Sequence, residues 1–214
     1  MTRLRIRYAK TEALRYTSNL DVQRVWERML RRARLPLTYS QGFHPQPKLN
    51  LACPLPLGIT SQAEVIDVWL DEDCAPEDVF QRLHRTAAPG IDIQGIDCVA
   101  MEETSIQNRI VAARYQAQIL VDLTPSELVA RVKNFLEQPS ILRERRGKIY
   151  DLRPLVEKLE LLPETDSGLL TLQMELSARQ AATGRPDEVL AVLDIPMSAA
   201  RICRTALYLD PALI

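Results

Sequence analysis

Glycine and cysteine are scarce in this sequence, and their arrangement excludes several kinds of site. The seven glycines build no P-loop, no dinucleotide-binding fingerprint and no nucleophile elbow. The four cysteines are Cys53, Cys74, Cys98 and Cys203, and no two of them form a C-x-x-C pair. This spacing argues against zinc knuckles, iron–sulfur clusters and thioredoxin-like chemistry. We therefore expect buried, reduced thiols, no metal and no cofactor.

Long apolar runs are missing as well. No stretch approaches the roughly 20 apolar residues that a membrane-spanning helix needs. Residues 1–7 alternate charged or polar side chains with apolar ones and lack the apolar core of a signal peptide. We therefore expect a cytoplasmic protein that does not enter a membrane.

Charges of both signs are present but unevenly placed. Residues 1–50 contain 11 Lys or Arg against 3 Asp or Glu, a net charge of +8. Residues 51–105 contain 2 against 11, a net charge of −9. Such a distribution indicates either an anionic partner for the basic part or internal neutralisation by the acidic part. If the acidic segment 64–78 covers the basic helix in the fold, the electrostatic argument for an anionic partner mostly fails.

The first half of the chain predicts the element order β-α-β-β-α-β, which is the ferredoxin-like pattern. Residues 3–9 alternate polar and apolar side chains, as a half-buried strand does. Ser18 and Asp21 have the spacing of a capping box, and the helix that follows runs to about Ala33. Its apolar stripe contains Leu20, Val25 and Met29. The further elements are strands near 36–40, 48–53, 63–70 and 91–99 and a helix over 76–87.

The second half repeats this order less regularly. It predicts a strand over 115–121, a helix over 124–137 and a basic hairpin that turns at Gly147. We therefore predict an α+β protein made of two tandem ferredoxin-like (βαββαβ) lobes, of which the second is irregular. The predicted division is residues 1–100, a linker over 101–113, and residues 114–214.

The segment from Tyr39 to Lys48 is the first candidate binding site. It places Tyr39, Phe43, His44 and Lys48 in a loop that prolines stiffen, and rigidity lowers the entropy lost when side chains are held ready to bind. Aromatic rings beside cations suit an unpaired nucleotide. The alternative for Phe43 is that it packs into the core.

The helix before this loop carries a row of arginines. Arg24, Arg28 and Arg31 lie largely opposite the apolar stripe, where they are candidates for contacts with RNA phosphates. The alternative is an ordinary solvated helix face.

A second basic cluster surrounds the predicted turn at Gly147. A basic hairpin tip can hold phosphates, so its cations are further candidates for RNA contacts. The alternative is a charged hairpin end in which Asp151 pairs with Arg153 or Lys148, a kind of exposed pair that contributes little stability. The cluster comprises Arg143, Arg145, Arg146, Lys148 and Arg153.

Histidine supplies no metal site and one weak catalytic candidate. His44 and His84 are the two histidines, and neither belongs to a metal-binding motif. His44 is a candidate general acid or base, but no nucleophile or partner base can be identified for it. This weighs against an enzyme without excluding one.

Four stretches resemble a known family. They are similar to motifs of the radical-SAM-associated domain of unknown function, and the resemblance spans most of the chain. The stretches are Leu14–Arg28, Tyr39–Lys48, Pro54–Gly58 and Lys148–Pro154. Members are fused to, or encoded beside, cobalamin-binding radical SAM proteins. The resemblance therefore implies an accessory role with a radical SAM protein as partner, and it supplies no catalytic residues. Where members often read Ser-His-Leu-Asp, this chain reads Ser-Asn-Leu-Asp over 18–21.

Three functions are compatible with these residues. The leading hypothesis is a non-catalytic RNA-binding accessory module that presents tRNA or rRNA to a radical SAM enzyme. The second is a metal-independent endoribonuclease of the repeat-processing type, with His44 as general acid or base and Lys48 or an arginine stabilising the transition state. The third is a protein–protein adaptor that binds no RNA.

Overall fold

The chain divides into two compact units in the computed structural model, which describes residues 1–163, 168–210 and 212. The first unit is formed by Met1–Ile110 together with Asp210–Ile214, and the second by Val111–Leu209. The boundary after residue 110 falls within the predicted linker over 101–113, which contains a one-turn helix and the first residues of a strand.

The first unit is built on an antiparallel sheet. Its elements in chain order are β1 (Thr2–Lys10), α1 (Asn19–Arg32), β2 (Leu49–Leu51), β3 (Thr60–Leu70), α2 (Pro76–Thr86), β4 (Ile91–Val99) and the one-turn α3 (Ile106–Arg109). The strand order is β2-β3-β1-β4, and each neighbouring pair is antiparallel. Alternate residues of β1 join α1 and α2 in one apolar core, because successive side chains of a strand point to opposite faces.

The predicted strand near 36–40 does not form. In the described structure Leu37 and Tyr39 make isolated bridges, to Leu70 and Pro47 respectively. Proline has no backbone N–H to donate to a ladder, so the prolines around this segment limit it to single bridges.

Helix α1 buries a face that overlaps the predicted one, since Met29 is buried and Val25 packs against the core. Val22, Trp26, Met29 and Leu30 are buried, at the spacing of one helix face. Leu20 is 67% exposed, so its place in the apolar stripe was predicted wrongly.

The predicted start of α1 is partly correct. The Ser18 hydroxyl oxygen accepts from the Asp21 backbone N–H at 3.2 Å. The Asp21 carboxylate, however, accepts from the Ser18 hydroxyl at 2.6 Å instead of closing the predicted capping box with the Ser18 backbone amide.

The second unit has a main sheet and a separate hairpin. Its elements are β5 (Ile110–Ile119), α4 (Pro125–Glu137), β6 (Leu142–Arg145), β7 (Lys148–Asp151), β8 (Val156–Leu161), β9 (Thr171–Arg179), β10 (Ala182–Thr183), α5 (Pro186–Val192) and β11 (Ala200–Leu209). Strands β8 and β10 both pair with β9, which is followed in the sheet by β5 and β11. Strands β6 and β7 form a two-stranded sheet of their own.

The predicted α+β class is confirmed. The described residues form five α-helices and a mostly antiparallel sheet. The arrangement as two tandem ferredoxin-like lobes stays a prediction at this point. No helix among the described residues is long and apolar enough to cross a membrane.

None of the four cysteines, which all lie in the described part of the chain, forms a disulfide, and they differ in exposure. Cys53 is buried, Cys74 and Cys203 are half-buried, and Cys98 is exposed. The expectation of buried thiols is therefore wrong for Cys98, whose strand β4 lies at the end of the strand order in its unit.

Candidate functional site

The basic hairpin has a geometry that gathers three cations at its tip. Arg145 and Lys148 are directly paired across β6 and β7, and the two residues between them, Arg146 and Gly147, have positive φ angles of 51° and 74°. Two such residues make the tight turn whose twist matches a hairpin. We call Arg145–Lys148 the hairpin tip.

An open pocket of about 510 Å³ lies beside the hairpin tip, within the second unit. Three cations of the tip meet a fourth, Arg185, which comes from the connection between β10 and α5. We call this the basic pocket. It is lined by Arg145, Arg146, Lys148, Tyr150, Asp151, Leu155, Ala181, Ala182, Thr183 and Arg185.

Two residues of the predicted second cluster do not line the basic pocket. The Arg143 Nε donates to Glu188 Oε2 at 2.8 Å. The Arg153 guanidinium donates to the backbone carbonyls of Val156 at 3.3 Å and Leu136 at 3.2 Å. Both side chains are therefore engaged within the second unit, and a contact of either with RNA stays a prediction.

Asp151 anchors the base of the hairpin to the backbone. Its Oδ1 accepts from the backbone N–H groups of Ile141 at 2.8 Å and Arg153 at 3.0 Å. The Ile141 N–H is the main reason that the pKa of Asp151 is below its ordinary value. The predicted side-chain pairing with Arg153 or Lys148 is thus replaced by backbone contacts, which hold the two ends of the hairpin together.

Arg185 was not predicted from the sequence, although it completes the basic pocket. Its Nη2 donates to Asp187 Oδ2 at 2.8 Å, so the guanidinium is held in place. Within the described part of the chain, its Nε and the Tyr150 hydroxyl are buried without a hydrogen-bond partner. Burial, followed by the charge of Glu188, raises the pKa of Tyr150. The sequence offered one local signal for Arg185: it precedes Pro186, the first residue of α5, and therefore lies in the connection before a helix.

Glycine at position 184 lets the chain run close to the pocket wall. The Gly184 N–H donates to the Ser177 carbonyl at 2.8 Å, and a Cβ at this position would lie 2.7 Å from the Leu155 carbonyl oxygen. This close approach places Thr183 and Arg185 on the pocket.

The arginines of α1 are exposed, but two of them have partners on their own helix. Arg24 pairs with Asp21 at 3.0 Å and Arg31 with Glu27 at 3.5 Å. Among the described residues, Arg28 forms no hydrogen bond or ion pair. The contacts therefore leave Arg28 and Arg32, both exposed, as the α1 arginines without a partner among the described residues.

The segment Thr38–Lys48, which we call the proline loop, folds back on itself. The Lys48 N–H donates to the Thr38 carbonyl at 2.7 Å, and the Ser40 N–H donates to the Gln46 carbonyl at 2.8 Å. Its tip carries Phe43, whose side chain is fully exposed. The alternative of core packing for Phe43 is therefore wrong, because no other part of its unit covers the tip.

The other predicted residues of the proline loop have different surroundings. Tyr39 is 40% exposed, and the Lys48 ammonium lies 4.7 Å from the centre of the Trp69 ring. His44 is exposed and forms no hydrogen bond or ion pair with any described residue. The described hydrogen bonds and ion pairs do not join this loop to the arginines of α1.

The acidic segment neutralises strand β1 of the first unit. Asp67 pairs with Arg3 at 2.6 Å and with Arg5 at 2.8 Å. Glu103 pairs with Arg5 at 2.7 Å and also with Arg109. Internal neutralisation thus accounts for the charges of Arg3 and Arg5, whereas none of these pairs involves the arginines of α1.

No cluster of three or more His, Cys, Asp or Glu able to hold a metal ion occurs among residues 1–163, 168–210 and 212. The geometry that the chain does offer is an α+β scaffold with a cationic, partly apolar pocket. This arrangement suits the binding of an anionic ligand.

The sequence matches the model of a family described as "Uncharacterized protein conserved in bacteria (DUF2344)" over residues 3–186, and the chain belongs to this family. No curated protein matches it.

Three solved structures are similar to this chain at low sequence identity. A crystal structure of a Cbf5–Nop10–Gar1 complex has a TM-score of 0.51 and 10% identity, covering 95% of this chain and 48% of that chain. An archaeal box H/ACA sRNP Nop10–Cbf5 complex has a TM-score of 0.45 and 12% identity, with coverages of 94% and 46%. An H/ACA RNP bound to a substrate RNA containing 2′-deoxyuridine has a TM-score of 0.42 and 10% identity, with coverages of 92% and 47%.

The chain spans about half the length of the chains that it matches. At these identities the first likeness concerns the fold alone, since one fold hosts many functions. The other two TM-scores are too low to carry an argument.

Proposed function

We propose that this protein is a non-catalytic accessory module that binds RNA, with the basic pocket as its main phosphate-binding site. The observation that carries the proposal is the convergence of Arg145, Arg146 and Lys148 with Arg185 around one pocket. Cations from two separate segments line this pocket. A hairpin end that is charged only because it faces solvent would not need a cation from a second segment. Contacts between cations and phosphates supply most of the sequence-independent affinity for RNA.

The proline loop is the proposed second contact. Its fully exposed Phe43 presents a ring on which an unpaired base can stack, and such stacking contributes about 1–3 kcal/mol per base. Tyr39, His44 and Lys48 lie on the same loop. Arg28 of α1 is the proposed phosphate contact of the first unit. Arg24 and Arg31 are further candidates, but each must first give up its ion pair within the helix before it can bind a phosphate.

A radical SAM protein is the proposed partner, and tRNA or rRNA the proposed RNA. The support for the partner is the resemblance of the four stretches of sequence to the radical-SAM-associated domain. In this proposal the module holds RNA while the partner performs the chemistry.

We also infer that both units are ferredoxin-like lobes. The first has the strand order β2-β3-β1-β4, and the second has β8-β9-β5-β11. Each order lists the second, third, first and last main strand of a β-α-β-β-α-β unit. In this interpretation the basic hairpin is an insertion between α4 and β8 of the second lobe.

Binding of labelled tRNA and rRNA fragments across a salt series tests this function. We expect affinity to fall log-linearly with salt, and we expect the double variant Arg146→Asn, Lys148→Gln to reduce the slope by up to about two, because each lost phosphate contact removes about one unit. Asparagine tolerates a positive φ, so the turn is preserved. Phe43→Ser should weaken binding of single-stranded RNA with little change in slope.

Lys133→Gln is the matched control, because Lys133 is a 74% exposed cation on α4 of the same unit and lies outside the basic pocket. It should leave the affinity nearly unchanged. Binding that ignores the double variant would remove the basic pocket from the proposal. Absence of binding at low salt would exclude an RNA-binding function and favour the adaptor, whereas cleavage of the RNA in the same samples would indicate the endoribonuclease.

A further inference from the structure

The basic pocket has the size of a site for one small ligand. Its volume of about 510 Å³ lies within the range of roughly 300–1,000 Å³ that is usual for small-molecule sites. An extended strand of RNA needs a groove with a row of contacts along its backbone. A single pocket beside one hairpin tip instead favours one nucleotide unit.

The chemistry of the pocket walls differs between the segments that form them. Arg145, Arg146 and Lys148 line it from the hairpin tip. Apolar surface comes from Leu155, just before β8, from Ala181 in the turn between β9 and β10, and from Ala182 in β10. An inorganic anion would gain little from contact with the apolar residues, and an apolar molecule would form no ion pair with the cations. The combination suits an anion joined to a flat, partly apolar body.

We propose that the basic pocket binds one nucleotide, with its phosphate against the cations and its base against the apolar wall. This inference rests on the proposed function, because the nucleotide belongs to an RNA only if the protein binds RNA. Two sources share this chemistry, namely a free mononucleotide and the phosphorylated end of an RNA chain.

Fixed polar groups strengthen this assignment. The ion pair with Asp187 holds the Arg185 guanidinium in place, which lowers the entropy lost when it binds a phosphate. A guanidinium fixed in this way favours a ligand that carries acceptor oxygens.

Affinity measurements with a set of defined probes test the proposal. The probes are uridine and adenosine 5′-monophosphates, the two nucleosides, inorganic phosphate, and one RNA decamer with either phosphorylated or hydroxyl ends. We expect a probe that carries both phosphate and base to bind at least tenfold more tightly than phosphate or nucleoside alone. Tight binding of the monophosphates indicates a free nucleotide, and a preference only for the phosphorylated decamer indicates an RNA end.

A steric variant tests the apolar wall without changing charge. Ala181 is exposed in the turn before β10, so Ala181→Trp should fill the pocket while leaving thermal unfolding unchanged. We expect it to lower affinity for the preferred phosphate-and-base probe at least tenfold. Ala181→Leu serves if the tryptophan disturbs folding, and Ala130→Trp, at an exposed position of α4 outside the pocket, is the control.

The outcomes separate this inference from the proposed function. Equal binding of the two decamers, with no binding of the monophosphates, would overturn the one-nucleotide pocket and leave RNA binding intact. Unchanged affinity in both Ala181 variants would also overturn it. Binding of the monophosphates without binding of any RNA would support the pocket and contradict the RNA-binding module.

Discussion

Asp67 is a charged side chain buried among other charges. It is fully buried, and it accepts from the guanidinium groups of Arg3 and Arg5. Arg3 is itself 2% exposed, and it also donates to the Glu103 carbonyl at 2.6 Å. A buried charge that loses its partner retains its desolvation cost. The network therefore ties β1 and β3 to the segment that follows β4.

We predict that Asp67→Asn destabilises the protein by about 3 kcal/mol or more, because it leaves two arginines with an uncharged partner in a buried site. Urea unfolding at neutral pH measures the change. Asp97→Asn is the matched control, since Asp97 pairs with Arg7 at an exposed position where ion pairs contribute about 1 kcal/mol or less. Equal effects of the two substitutions would contradict the role given to the buried network.

At the scale of elements, the basic pocket depends on a connection rather than on a helix or strand. The segment from β10 to α5 passes close to Leu155 because Gly184 has no side chain. That approach sets the positions of Thr183 and Arg185, and thereby brings a cation to the hairpin tip from more than 30 residues further along the chain.

We predict that Gly184→Ala weakens both folding and ligand binding. A Cβ 2.7 Å from a backbone carbonyl cannot be accommodated without a shift, and overpacking of this kind costs about 1–3 kcal/mol. Thermal unfolding and RNA affinity measure the two effects. In the control Gly95→Ala, the crowded atom is the end of the flexible Arg7 side chain, so a smaller loss of stability is expected; the reverse order would contradict the packing argument.

At the scale of the whole molecule, the carboxyl groups make stability sensitive to acid. Partial burial by itself raises the pKa of Glu103, but hydrogen bonds and charges from Arg5 and Arg109 outweigh it and hold this pKa below its ordinary value of 4.5. Several further carboxyl groups also have a lowered pKa in the folded protein, namely Asp21, Glu127, Asp151 and Glu160.

We predict that the free energy of unfolding falls as the pH drops below about 4.5. A lowered pKa in the folded state means that the unfolded chain binds protons first, so acid favours unfolding. The stabilisation from Glu103 is present above its ordinary pKa and is lost as the pH falls through its folded value. Glu103→Gln should lower stability at pH 7 and reduce the loss between pH 7 and pH 3; an unchanged loss in urea unfolding would contradict this.

Much of the local structure could be predicted from short-range signals. The Thr124 cap and Pro125 mark the start of α4, and Gly147 marks the turn of the hairpin. The face of α1 was predicted less well, because Leu20 has the apolar character of a core residue but lies in the first turn, where the core does not reach it. Local patterns predict where an element lies in the chain more reliably than they predict which residues it packs against.

The α+β class, the basic hairpin and the exposed arginines of α1 could be predicted from the chain alone, because caps, turns and periodicity act over a few residues. The fold was needed to show that Asp67 pairs with Arg3 and Arg5, that Phe43 is exposed, and that Arg185 lines the same pocket as the hairpin tip. Those features depend on contacts between residues far apart in the chain, which a local pattern does not encode.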